Sequence, residues 1–154
     1  MTPAVTFAQK LNIPFTLHEY QHDANAGSFG MEAVEKLNLN HTQVFKTLVA
    51  KLDTNQLAVA IVPVAMKLNF KQLAKAAKVK KAQMAEPNEV MRSTGYVLGG
   101  VSPLGQKKRL ITIIDESAAS LEKMYVSAGR RGLEIELKPK DLLTATNGLF
   151  ATLT

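Results

Sequence analysis

The sequence predicts a mixed domain of the α+β class, and three observations carry that reading. Two nearly continuous apolar runs, residues 44–52 and 57–64, are joined by Asp53-Thr54-Asn55. That spacing suits a hairpin, and unbroken apolar character suits strands covered on both faces. Helices with proline or asparagine at their starts are interspersed among the strand-like segments. The 154 residues show no repeat, low-complexity tract or linker. A chain of this length holds one substantial core but not two, so residues 1–154 are expected to form one domain.

Each element has a local cause. Residues 3–11 read as a short amphipathic helix, ended by Asn12-Ile13-Pro14, and the alternation across 15–20 suggests a strand. A polar loop over 21–28 and a helix over 31–37 lead into the hairpin. Asn69 is a good N-cap for a helix to 78, with Gln72 in the reaching-back position. Phe70, Leu73 and Ala77 form its core face. Lys67, Lys71, Lys75 and Lys78 lie on another stripe, either an RNA phosphate contact or a solvated face. Pro87 fits the first turn of a short helix, and Asp115 caps another ahead of Leu121. Residues 110–114, 123–127 and 133–137 read as strands. Pro139 starts a last helix that Asn147-Gly148 stops.

Composition excludes several classes of function. The chain has no cysteine, so it has no disulfide framework, thiolate nucleophile or cysteine-ligated zinc. Covalent sulfur chemistry would have to use substrate sulfur. The first ten residues lack the basic start and apolar core of a signal peptide, and no apolar run approaches a membrane span. A cytoplasmic location without membrane partners is expected. The formal charge of +6 favours a polyanion such as RNA.

The segment Arg92-Ser93-Thr94-Gly95-Tyr96-Val97-Leu98-Gly99-Gly100-Val101-Ser102-Pro103-Leu104-Gly105 places four glycines and one proline in an otherwise apolar or hydroxylic run. Such a run suits either a ligand-facing loop with exposed N–H groups or a tight structural turn. Neither a dinucleotide fingerprint nor a P-loop is present. Lys46 lies in an apolar segment, where an ammonium costs desolvation unless it meets a partner, a pocket mouth or a strand edge. His18, His22 and His41 form no metal-like helical pair, and no metal or other cofactor is expected. Ser93, Ser102 and Ser127 lie outside any nucleophile-elbow pattern.

Three stretches taken together resemble one family. They are Val44-Phe45-Lys46-Thr47-Leu48, Gly99-Gly100-Val101-Ser102-Pro103-Leu104-Gly105-Gln106-Lys107-Lys108-Arg109, and Tyr125-Val126-Ser127-Ala128-Gly129-Arg130-Arg131-Gly132-Leu133-Glu134. They are similar to the bacterial YbaK/EbsC family, free-standing relatives of the editing domain of prolyl-tRNA synthetases. The resemblance implies a single mixed, largely antiparallel sheet curled toward a barrel, with flanking helices. It makes Lys46 the lysine essential for deacylation, and gives Gly99 and Gly100 backbone donors toward the aminoacyl carbonyl. Pro103 and Gly105 would fix the loop's shape. Tyr20, Phe29, Thr47 and Ser127 fall where relatives line the aminoacyl and adenosine pocket, each with an alternative as a core, strand or turn residue. Arg130 lies in the basic turn. Glu134 stands where many relatives carry aspartate.

The implied function is a trans-editing deacylase for mischarged tRNA, chiefly Cys-tRNA(Pro), with Cys-tRNA(Cys) a further substrate. The substrate's own thiol would attack its ester, so proximity replaces a protein nucleophile. Two alternatives stay open: editing of alanine or serine, and a non-catalytic module binding tRNA or a synthetase. Prolyl-tRNA synthetase is a candidate partner.

Overall fold

The computed structural model describes residues 1–25 and 29–154, the side chain of Phe29 excepted. Residues 26–28 of the expected polar loop therefore lie outside the described residues. The elements in order are α1 (Pro3–Lys10), β1 (Thr16–Glu19), α2 (Phe29–Lys36), β2 (Phe45–Leu52), β3 (Leu57–Pro63), α3 (Phe70–Ala76), β4 (Ala82–Met84) and α4 (Pro87–Thr94). They continue with β5 (Ile111–Asp115), a 3-10 turn (Glu116–Ser120), β6 (Met124–Arg130), β7 (Leu133–Leu137), α5 (Pro139–Thr146) and β8 (Leu149–Ala151).

Local chemistry explains the boundaries. Asn69 Oδ1 accepts from the N–H groups of Lys71 and Gln72, starting α3. Pro87 and Pro139 occupy first-turn positions where no N–H is needed. Asn147 ends α5 in the left-handed conformation, φ 52°. Asp115 accepts from Ser117 N and, across the fold, from Leu153 N, so its buried carboxylate is satisfied.

The α+β class and the largely antiparallel pairing match expectation, but the single curled sheet is divided in two. One sheet has the order β1-β7-β6 and the other β4-β2-β3-β5-β8. The last three strands of the larger sheet run parallel, and the other pairings are antiparallel. An isolated parallel bridge, Val44 with Tyr125, joins the sheets. Among the described residues no helix is long and apolar enough to cross a membrane.

The larger sheet is covered on both faces. Val59, Ile61 and Ile114 face the main core, which includes α1, α4, α5 and the smaller sheet. Ala60, Val62 and Ile113 face the opposite way, beneath Leu73 of α3. This is the alternation expected of strands, and β3 is buried along almost its whole length. β2 differs. Lys46, Thr47 and Leu48 are only half-buried, and they mark the place where the two sheets part.

Between α4 and β5 the chain has no ladder to hold it, so other bonds fix it. Tyr96 Oη donates to Leu104 O at 2.6 Å, and Gln106 Nε2 donates to Ser102 O at 2.9 Å. The N–H groups of Lys107 and Lys108 donate to the last carbonyls of α4, Thr94 and Ser93. Gly105 has φ +68°, and a Cβ there would lie 2.6 Å from Pro3 O at the start of α1. Gly105→Ala combines left-handed strain with a clash against backbone. It should cost about 2 kcal/mol or more. Chemical denaturation checks this, and an unchanged midpoint at unchanged slope would show that α1 yields freely.

Candidate active site

A cavity of about 260 Å³ opens where β2 leaves the smaller sheet. Phe45, Lys46, Thr47 and Leu48 all line it. Successive strand residues point to opposite faces, so four consecutive lining residues place the cavity along the edge of β2. That edge is bridged to Tyr125 at Val44 and paired with β4 from Ala50 onward. Between those points no described strand pairs with it. β3 closes the other side.

Among the described residues, two polar groups of this edge lack partners. Among the described residues no carboxylate lies within 4.0 Å of the Lys46 ammonium. Burial lowers its pKa, and the neighbouring charge of Lys67 lowers it further. Thr47 Oγ1 is buried and has no hydrogen-bond partner among the described residues. Leaving such a hydroxyl unsatisfied costs about 1–3 kcal/mol, which a ligand offering a donor or acceptor would relieve.

The opposite wall comes from the smaller sheet. Ser127 on β6 stands across from Glu134 on β7, and both line the cavity. Ser127 Oγ accepts from Gly129 N at 3.2 Å, within the bulge that interrupts pairing between Ser127 and Arg130. Glu134 is 7% exposed. Alternation on β7 sends Leu133, Ile135 and Leu137 into the core and turns Glu134 toward the cavity. No described cation pairs with it, and burial pushes its carboxyl up to about 8. Tyr20, also in the cavity, is pushed up to about 12 by burial and then by the nearby Glu134 and Glu32 carboxylates. The phenol stays neutral.

The glycine-rich loop and the β6–β7 turn form the rim. Gly99 lines the cavity at φ +86°, and its N–H has no partner among the described residues. Gly100 behaves differently from expectation. Its N–H donates to Val97 O at 3.0 Å, so it is not free to serve as a donor to a carbonyl. A Cβ on Gly100 would lie 3.1 Å from Arg130 Cα, so this glycine instead lets the loop abut the β6–β7 turn. Arg131 Nη2 donates to Leu98 O at 2.9 Å and ties the two together. Arg130 lines the rim and reaches Glu19 at 3.5 Å, an exposed pair worth little.

Seven of the nine candidates therefore meet in one cavity: Tyr20, Lys46, Thr47, Gly99, Ser127, Arg130 and Glu134. Gly100 supports it from behind. The side chain of Phe29 lies outside the described residues. Reading the sequence missed Gly30, Val101 and Arg131, which also line the cavity. Gly30 preceded the helix expected over 31–37; α2 in fact starts at Phe29, and a Cβ on Gly30 would lie 2.3 Å from Val64 Cγ1, so the helix needs a glycine there. The segment after β1 is fixed by buried Glu32, which accepts from His22 Nδ1 and Asp23 N, each at 2.7 Å.

The Glu134 carboxyl gives a signed pH effect. In the unfolded chain it loses its proton near 4.5, whereas in the folded protein it keeps it to about 8. Between those values the folded state holds a proton that the unfolded chain lacks, so rising pH favours unfolding. Melting curves should show a destabilising component between about pH 4.5 and 8 that is absent in Glu134→Gln. Parallel pH profiles for the two proteins would place the ionised carboxylate in water.

Comparison with known proteins agrees with this architecture. The model of the aminoacyl-tRNA editing domain matches residues 26–145. A protein of Enterococcus faecalis, provisionally named Cys-tRNA(Pro)/Cys-tRNA(Cys) deacylase EbsC, is 36% identical over 154 residues, covering 99% of this chain and 93% of its own length. The uncharacterized protein YwhH of Bacillus subtilis is 28% identical over 111 residues, 72% of this chain and 70% of its own. A solved structure provisionally described as a trans-editing enzyme for prolyl tRNA synthetase superposes with a TM-score of 0.84 at 21% identity, covering 100% of this chain and 98% of that one, which shows a shared fold. The chain belongs to the aminoacyl-tRNA editing domain family.

Proposed function

We propose that this protein is a cytoplasmic trans-editing deacylase that removes cysteine from mischarged tRNA(Pro), with the substrate's thiol as nucleophile. The observation that carries the reading is the pair of polar groups without a described partner, the Lys46 ammonium and the Thr47 hydroxyl, in a cavity that has no cysteine thiol to act as nucleophile. Its volume of about 260 Å³ is below that of typical small-molecule pockets, so it suits a small amino acid and the sugar end that carries it. The name of the Enterococcus faecalis relative supports cysteine as that amino acid.

The chemistry asks little of the protein beyond positioning. The cysteinyl thiol gives its proton to solvent and attacks its own ester carbonyl. A C–S bond forms, the C–O bond to the ribose breaks, and the ribose oxygen takes up a proton. The product is a cyclic thioester, which water then opens to cysteine. Lys46 holds the terminal phosphate or ester region through charge-assisted hydrogen bonds. The free N–H of Gly99 faces the oxyanion that develops on the carbonyl. The neutral Glu134 carboxyl donates a hydrogen bond without repelling a forming thiolate.

Lys46→Ala should lower deacylation about a hundredfold or more through lost orientation, without unfolding a protein in which this ammonium has no described partner. Purified protein tested on a panel of aminoacyl-tRNAs should clear Cys-tRNA(Pro) and spare Ser-tRNA(Pro), whose hydroxyl is a far weaker nucleophile. Equal clearance of the serine ester would reject thiol assistance and favour a water-based editing reaction. If tRNA binds and none of the panel is cleared, the protein is a binding module.

A further inference from the structure

A second concavity lies at the far end of the glycine-rich loop. It has a volume of about 620 Å³, more than twice that of the cavity. Lys10, from the last turn of α1, lines it together with Lys107, Lys108 and Arg109. No aspartate or glutamate is among its lining residues. Among the described residues none of these four cations has a carboxylate within 4.0 Å. All four are exposed. Lys51, by contrast, pairs with Glu89 at 3.1 Å.

Two of the cations also sit on fixed backbone. The backbone of Lys107 and Lys108 is hydrogen-bonded to the end of α4, and the Lys107 stem packs on Gly95, whose added Cβ would lie 3.3 Å from Lys107 Cγ. Pro103 and Gly105 line the groove, while Gly99 and Val101 of the same loop line the cavity. One clamped loop thus forms a wall of both. Gly99 and Lys107 are eight residues apart in the chain, which limits their separation to roughly 29 Å. The two concavities therefore lie at most about ten base pairs of a nucleic-acid duplex apart.

We propose that this groove binds the sugar–phosphate backbone of the same RNA whose aminoacylated end enters the cavity. The proposal rests on the editing reading for the identity of the RNA. The groove is a positioning surface. Its cations contact phosphates remote from the ester, raise affinity without regard to base sequence, and set the angle at which the 3′ end arrives. Four unpaired cations from two elements suit a charge repeated along a chain, and an RNA strand supplies one at every nucleotide.

The test compares wild-type protein with the triple variant Lys107→Gln, Lys108→Gln, Arg109→Gln, whose side chains are exposed and whose backbone bonds are kept. Two substrates are used: full-length Cys-tRNA(Pro), and a cysteinyl ester on the trinucleotide CCA, which carries only the phosphates nearest the ester. The variant should raise KM for the full-length substrate roughly tenfold or more with kcat held, and leave the trinucleotide reaction unchanged. The slope of log affinity for uncharged tRNA against log salt should become shallower by about 2 to 3. Equal KM and equal salt slopes in the two proteins would overturn the proposal and leave the groove to an acidic protein surface. An equal loss on both substrates would also overturn it, since the effect would then lie in the cavity. If wild-type protein deacylates neither substrate, the editing reading fails, while the affinity of uncharged tRNA for the two proteins still decides the groove.

Discussion

The parting of the two sheets after the Val44–Tyr125 bridge is the constraint from which the site follows. A bridge between parallel segments would ordinarily continue, bringing residue 46 beside residue 127 and satisfying the edge of β2. It does not continue, because β6 is drawn into a bulge between Ser127 and Arg130 while β2 stays in register with β3. The gap exposes polar atoms at the margin of a hydrophobic core. Lys46 and Thr47 are the result: a charge and a hydroxyl that a continuous sheet would have excluded.

Such a gap collapses unless something props it open. Gly100 packs on the backbone of Arg130 and Arg131, and Arg131 returns a bond to Leu98 O. Thr2, the cap of α1, also donates its hydroxyl to Ala128 O, on the strand that carries Ser127. A Cβ on Gly129 would lie 2.8 Å from the ring of Tyr96, the residue that clamps Leu104. The first helix, the glycine-rich loop and the bulged strand are therefore one mechanical unit. Irregular backbone held in this way keeps its N–H groups aimed, which a mobile loop could not do at equal cost.

What was legible in the sequence was local chemistry. The caps at Asn69 and Asp115, the proline starts at Pro87 and Pro139, the stop at Asn147 and the hairpin over β2 and β3 each depend on a few neighbouring residues. Two three-residue strands, Ala82–Met84 and Leu149–Ala151, escaped because pairing with β2 and β5 is all that makes them strands. The division of the sheet escaped for the same reason, since no residue encodes a parting of strands distant in sequence. Motif resemblance brought most of the candidates to one cavity, yet it could not separate Gly99 from Gly100. They differ in whether the N–H is already spent in a turn, and only the fold determines that.

Glu134 shows how burial can set the charge of a site as firmly as a neighbouring ion. An ionised carboxylate here would attract Lys46 and repel the phosphates of an RNA end, cancelling the cavity's attraction for its ligand. No described cation lies within 4.0 Å of it, and the apolar backing of Leu133 and Ile135 makes ionisation costly. At neutral pH the cavity then presents the Lys46 ammonium, the Arg130 and Arg131 guanidinium groups and several neutral donors. That balance favours a substrate bearing phosphate and developing negative charge at a carbonyl, but it supplies no strong base to deprotonate water. Under the editing mechanism proposed above, a site so charged suits an ester whose own amino acid carries a nucleophile acidic enough to ionise without help, and among small amino acids of this size a thiol meets that requirement where a hydroxyl or methyl does not.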